Sequence, residues 1–468
     1  MSAALKHLMR LGTHGEKKYF KDFKNNYDAI IINANMIAHT VNSMSTFLGC
    51  ELSKPFIIDP QTYAFQSYTH LLQQTTKNIK DSSDAKLKKS FQSLIDKYGI
   101  FLKDVIVNQK RSIKSSDFIG DENSHNLENL CKNVLDYQQN TITAETTANS
   151  EYSEYIQYEL ENCNGDNSLI LKPEFLIAPY FYMTRNTYKS WLDINIASIN
   201  KSKQIVQSET KVYAQIVMDK DILLDSEKID ELCSKYKNSM ADGFLIWLDK
   251  FDEKDVSDLY LCKFIEFLRN LKTIEKPIYQ IYGSYFSIIL TKNILSGVCH
   301  GMEYGENRDV YPVGGGVPVS KFYYPVLHKR LLYRDALDVL LRMDFLKDKN
   351  TYFSNVCSCQ NCHEIINIPI EDFSKYGDVN STTFKRKSGN RESTVTMDYP
   401  TTDAKDLCLR HYLYNKVHEF KHVETHSYIE CAGELYDAYN QYYDLLGDNI
   451  DYLNTWHNIV LGLDTLEK

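Results

Sequence analysis

Short apolar runs of strand length recur along this chain, separated by segments with helical periodicity, and that alternation leaves few folds open. The runs read as strands at Ala29–Asn33, Pro55–Asp59, Phe175–Tyr180, Val212–Met218, Gly243–Asp249, Pro277–Tyr282, Gly297–Met302 and Phe322–Leu327. Helical patterns lie between most of them, for instance over Ser226–Met240, Val256–Leu271 and Phe286–Leu295. Eight such units predict an α/β chain folded as a (β/α)8 TIM-like barrel, whose chemistry would sit at the C-terminal strand ends. A doubly wound sheet is the rival, but no Gly-x-Gly-x-x-Gly follows the first of these strands.

The 468 residues give room for a large core and appendages. The expected organisation is a barrel over residues 20–350, a zinc-binding subdomain over 351–425 and C-terminal helices over 426–468. A polar, Ser/Asn/Asp-rich stretch at about 77–167 interrupts the strand rhythm and reads as an inserted helical lobe, disordered near Thr141–Ser150. A second polar stretch, Ser374–Thr402, carries Lys385-Arg386-Lys387 and Arg391. It reads as a solvated loop, with phosphate contact as the livelier alternative.

Charge and cysteine usage narrow the function classes. A net charge of -9 argues against a general nucleic-acid coat, although phosphate contacts need only a local patch. Eleven irregularly spaced cysteines with no charged-then-apolar leader read as a reducing cytoplasm. No apolar run is long enough to span a bilayer.

Three of those cysteines fall within six residues, in Val-Cys357-Ser-Cys359-Gln-Asn-Cys362, and His411 follows on a later amphipathic segment. Thiolate sulfur and imidazole nitrogen suit a tetrahedral zinc ion, and this spacing can wrap one ion in a single tight turn. From spacing alone Cys408 and His363 compete with His411 for the fourth position. The chemistry at the barrel mouth is expected from Asp59, which leaves a fully apolar strand. A buried carboxylate needs a partner, and at a strand end it is placed for acid, base or nucleophilic work; a turn aspartate before Pro60 is the plainer alternative. Gly314-Gly-Gly316 reads as a turn. Lys321, Lys329 and Arg330 after it could line a nucleic-acid path.

Asp59 followed by Phe65-Gln66, together with Cys-x-Cys-x-x-Cys and a late His, resembles the tRNA-guanine transglycosylase superfamily, whose signature is Asp-Ser-Gly-Gly-Phe/Tyr-Gln. Here the intervening segment is two residues longer and has no glycine. The family's Gly-Gly-Leu-Ala-Val-Gly-Glu strand resembles Gly243-Phe-Leu-Ile-Trp247-Leu-Asp249, and its Lys-Pro-Arg-Tyr-Leu-Met-Gly strand resembles Lys276-Pro-Ile-Tyr-Gln-Ile-Tyr-Gly283. The resemblance implies a barrel with a zinc clamp in which His411-Tyr-Leu is the ligand element, placing His411 ahead of Cys408 and His363.

It also implies base exchange on a nucleoside. A carboxylate attacks the sugar C1′, guanine leaves, and a modified base returns, while a second carboxylate manages the proton. By resemblance Asp59 takes the proton role, and Phe65, Gln66, Gly243 and Trp247 bind the base. The nucleophilic aspartate of the family is absent from Gly297-Val-Cys-His300-Gly-Met-Glu303-Tyr-Gly-Glu306, so Glu303 and then Glu306 are expected to replace it, oriented by His300. The aspartate that reads the guanine edge is absent too, since its strand ends Ala178-Pro-Tyr180. These departures are closer to the DpdA-type, DNA-acting branch, which inserts a 7-deazaguanine in DNA. The implied activity is pentosyl transfer, with structural Zn2+. The implied partners are DNA before tRNA, a purine or 7-deazapurine base, and a partner subunit if one completes the site. A paralogue that binds nucleic acid or protein without catalysis is the reading from another class.

Overall fold

A computed structural model describes residues 5–74, 86–120, 123–143, 171–303, 306, 309–311, 319–388 and 391–465. The chain divides into two compact units. One comprises Met1–Gly283 with Asn293–Val313, the other Ser284–Lys292 with Gly314–Lys468.

The first unit holds eight parallel strands: β1 (His7–Leu11), β2 (Ala29–Asn33), β3 (Phe56–Asp59), β4 (Leu176–Ile177), β5 (Val212–Asp219), β6 (Gly243–Asp249), β7 (Ile278–Ile281) and β8 (Gly297–Gly301). Their order is β3-β2-β1-β8-β7-β6-β5-β4, so first and last strands pair and the sheet curls into a nearly closed barrel. The eight are not the set expected from sequence. His7–Leu11 is a strand that was not among those expected, and it displaces Phe322–Leu327, which lies in the other unit. The apolar run there forms β9 (Lys321–Tyr324), paired antiparallel with β10 (Lys329–Leu332). A strand period marks extended backbone but not the sheet it joins.

The barrel is filled by side chains. At its base the rings of Phe175, Tyr213 and Tyr279 stack, with Phe175 and Tyr213 only 3.9 Å apart. Tyr213 lies flat over Gly243, where an added Cβ would stand 2.3 Å from the ring. That close approach is why β6 opens on glycine.

One seam has no full ladder. Between β3 and the two-residue β4 the described backbone bond is Glu174 N–H to the Phe56 carbonyl, 2.9 Å. Side chains close the rest. Gln138 donates to the Ile177 carbonyl (2.8 Å) and accepts from Ile177 N–H (2.9 Å). Thr62 does the same for Tyr180, and Gln66 for Tyr182. Buried backbone groups must be paired, and these three polar side chains take the place of the missing strand partner.

Gln138 belongs to the expected inserted lobe, whose described part is helical. It contains α1 (Lys89–Tyr98) and α2 (Ser124–Asn140), and the Tyr98 and Tyr137 hydroxyls anchor it to the carbonyls of Pro60 and Ala34. The stretch expected to be disordered lies almost wholly outside the described residues, as do Gly314–Gly316. On the outer face run α3 (Tyr188–Ile205), α4 (Ser226–Lys237) and α5 (Asp258–Lys272), each with apolar residues turned inward. No described helix is long and apolar enough to cross a membrane.

The second unit carries β9 and β10, a long hairpin of β11 (Val379–Ser388) and β12 (Arg391–Pro400), and the helices α6 (Thr402–Thr425), α7 (Tyr428–Leu446) and α8 (Asp451–Thr465). The hairpin replaces the loop expected at Ser374–Thr402. Its β-forming residues pair across the ladder, Thr383 facing Thr396 and Phe384 facing Val395.

Candidate functional site

At the C-terminal mouth of the barrel, Asp59 closes β3 and is fully buried. Three donors hold its carboxylate: Arg10 Nη2 at 2.6 Å, the Tyr180 hydroxyl at 2.6 Å and Gln61 N–H at 3.0 Å. The last bond turns the chain sharply and puts Gln61 in the left-handed region (φ 53°). Arg10, on β1, also donates to Asn33 and lies 5.3 Å from the Tyr282 ring centre. Burial alone would lower the guanidinium's pKa, but Tyr282 and Asp59 more than offset it, and the net shift is upward. Arg10 therefore stays charged inside the barrel, against the carboxyl group of Asp59. The other Arg10 terminal nitrogen, Nη1, is buried with no hydrogen-bond partner.

Aromatic rings wall this ion pair. Trp247 stands edge-on to Tyr63 (5.1 Å) and against Tyr282 (5.2 Å), and Tyr63 stacks on Tyr180 (5.8 Å). Burial pushes the Tyr282 hydroxyl up to about 12, and raises that of Tyr63 also. Burial likewise pushes the Cys299 thiol, on β8 and beside Arg10, up to about 12. A second carboxylate, Asp249 at the end of β6, accepts from the Tyr182 hydroxyl (2.8 Å) and from Val310 N–H (2.7 Å). Tyr282 holds φ 64°, so backbone strain gathers at this mouth.

The expected site residues fall into different places. Asp59 and Trp247 belong to the mouth cluster. Phe65 does not: it is fully buried, edge-on to Phe91 and Tyr98 of the helical lobe, so its ring faces are core rather than a stacking platform. Gln66 is a latch on the Tyr182 backbone. Gly243 lies at the opposite, N-terminal end of its strand, under Tyr213. His300 packs edge-on against His7 (5.5 Å), while its neighbour Cys299 lies beside Arg10, as strand alternation requires. Glu303 and Glu306 follow β8, with Glu306 N–H 3.3 Å from the Glu303 carbonyl.

Sequence reasoning missed Arg10, Tyr180, Tyr182 and Asp249. Asp249 carried the same signal as Asp59, an acid ending an apolar strand.

No protein-family model matches this chain, and no curated protein does. What it can do therefore rests on its own geometry.

The second unit holds the other cluster. Cys357, Cys359, Cys362 and His411 are all buried, and their ligand atoms all lie within 4.8 Å of one another. His411 Nδ1 is 3.5 Å from Cys359 Sγ and 3.3 Å from Cys362 Sγ. A tetrahedral zinc with ordinary bond lengths would set sulfur and nitrogen about 3.6 Å apart. His411 Nε2 lies 2.7 Å from the Tyr323 carbonyl, which can only accept. The neutral ring is thus protonated on Nε2 and turns the Nδ1 lone pair to the sulfurs, the orientation a metal ligand needs. Burial would lower the His411 pKa, but the Cys357 sulfur more than offsets it and holds it at about 10, so a cation entering the set would displace the Nδ1 proton and take up that lone pair. Negative charge gathered on these sulfurs is what a cation would neutralise. The set could hold a metal ion.

Phe322 stacks on the His411 ring at 4.3 Å, and Tyr352 and Tyr376 place hydroxyls 3.5 Å from Cys362 Sγ. Cys408 faces the Tyr376 carbonyl instead, and His363 is exposed against Phe353.

Proposed function

We propose that the protein is a guanine transglycosylase-like enzyme that exchanges guanine for a 7-deazaguanine base in DNA, with a structural zinc at its Cys3His cluster. The observation that carries this reading is Asp59, a carboxyl group held by Arg10 at the C-terminal mouth of a parallel barrel. Asp59 is assigned the proton: the one that the departing guanine takes from it is returned by the incoming base, so the exchange is neutral overall. The nucleophile is assigned to Glu303, two residues beyond Gly301, which pairs with Arg10 across β8 and β1. Its carboxylate attacks C1′ as the guanine N9 bond breaks. The incoming base then displaces the carboxylate from the opposite face of C1′, with net retention. DNA is preferred to tRNA because the longer Asp59–Gln66 segment and the replaced nucleophile resemble the DNA-acting branch.

One observation favours a second reading, a binding paralogue without turnover. Asp59 is fully enclosed and already accepts three hydrogen bonds.

The deciding experiment offers labelled guanine and 7-deazaguanine bases to the protein with duplex DNA and, separately, with tRNA. Incorporation into DNA that falls at least about 100-fold in Asp59→Asn and in Glu303→Gln supports the proposal, that being the least general acid–base or nucleophilic removal costs. Incorporation into tRNA alone moves the substrate. None into either, by folded and metal-loaded protein, leaves the binding reading.

A further inference from the structure

Helix α6 ends and α7 begins across a two-residue connection, His426-Ser427, so the last turn of one helix faces the start of the next. The Ser427 hydroxyl and the Glu430 carboxylate form a capping box that fixes where α7 starts. On the facing surfaces stand His422, His426 and Glu434. Their ligand atoms also lie within 4.8 Å of one another. His422 Nε2 is 2.6 Å from a Glu434 carboxylate oxygen, and the two imidazole rings stack 3.7 Å apart.

We propose that these three residues form a second metal site, for a divalent first-row transition ion, with an open coordination position. Four features carry it. His426, the residue that follows α6, folds its ring back onto that of His422 in the last turn, so two imidazoles already converge. His426 Nδ1 lies 2.9 Å from the His422 carbonyl, an acceptor only, so the neutral ring is protonated there and keeps its Nε2 lone pair free. Two imidazoles and one carboxylate are the donor set of zinc and non-haem iron sites that leave room for a further ligand. Finally, the three residues line a cavity of about 660 Å3 that also contains His418, His328 and Glu419. A metal at the rim would present its open position to that space.

The geometry asks for a small adjustment. Zinc bonded to both His422 and Glu434 would set nitrogen and oxygen about 3.4 Å apart. Glu434 is half exposed on a flexible stem and can withdraw by that much. Of the nearby lysines, Lys421 lines the same cavity, and Lys292 turns its ammonium to the carbonyls of Val423 and His426, where it caps α6. Neither the Cys3His cluster nor the barrel mouth contributes to this site, so it stands apart from the base-exchange reading.

The test uses the full chain and zinc, titrated against a chromophoric chelator and checked by elemental analysis. The expected result is two ions per chain, one of which is lost in Glu434→Gln and in His426→Ala while the other is lost in Cys359→Ser. Glu434→Gln is the safer variant because its side chain is half in solvent. Unchanged thermal melting of the two α6–α7 variants without added metal would show that lost binding is not lost folding. A wild type whose bound zinc is removed entirely by Cys359→Ser, or α6–α7 variants that keep both ions, would overturn the proposal.

Discussion

Arg10 and Asp59 show how one residue pair joins stability to the site. Neither is accessible to water, and each is the other's charge partner. Removing one leaves a buried, uncompensated charge, which costs about 3–5 kcal/mol, whereas replacing both with apolar groups of similar volume costs far less. Asp59→Ala alone should therefore lower the unfolding free energy by about 4 kcal/mol, and Arg10→Met combined with Asp59→Leu should recover at least half of that. Urea unfolding of the wild type, Asp59→Ala and the double variant checks it, and a double variant no more stable than Asp59→Ala would show that the two charges are not coupled. Asp59 was legible because an acid at the end of an apolar run is conspicuous. Its partner was not, because Arg10 sits in His-Leu-Met-Arg-Leu, where two long polar side chains conceal a strand whose Arg points inward. Phe65 fails for the opposite reason. Its aromatic character suits a stacking role, but Phe91 and Tyr98, from the inserted lobe, enclose it, and sequence spacing does not reveal that neighbour.

Among the elements, β4 is the weakest by its own means and the most dependent on others. Two residues make an inadequate strand, and on its β3 side the hydrogen bonds come largely from Thr62, Gln66 and Gln138. Gln138 is fully buried and bonds both Ile177 groups, so Gln138→Leu strands a donor and an acceptor in the core. Each unsatisfied group costs roughly 1–3 kcal/mol, giving an expected loss of about 2–5 kcal/mol in urea unfolding. Hydrogen exchange should quicken first at Ile177; unchanged protection there would show that the barrel seam closes without Gln138. The sequence carries the parallel barrel through its long central strands, β5 and β6, whose apolar runs are unbroken. It hides the seam, because polar side chains acting as strand substitutes look like ordinary loop residues. The Ser374–Thr402 hairpin was hidden likewise: its exposed polar residues read as loop, although its Thr, Val and Phe residues suit a two-stranded ladder.

For the molecule as a whole, the two units should respond differently to metal. The Cys3His cluster joins three parts of the second unit, namely the 357–362 turn, α6 through His411, and β9 through the Tyr323 carbonyl and the Phe322 ring. Four buried ligands with no cation among them would set crowded sulfurs against one another, so removing an ion from this cluster should loosen all three parts together. The barrel has no such dependence. Its core is apolar and aromatic, and the buried Arg10–Asp59 ion pair is formed within the barrel. Dialysis against a strong chelator should therefore release about one zinc per chain from the cluster, measured with the α6–α7 site disabled by Glu434→Gln. Segment-resolved hydrogen exchange should then show lost protection in α6, β9 and the 357–362 turn, while β5 and β6 keep theirs. Cys359→Ser should reproduce that pattern without chelator. Equal loss in barrel and second unit would mean that the metal supports the whole chain as one cooperative body, and no loss anywhere would mean that the four ligands pack adequately on their own.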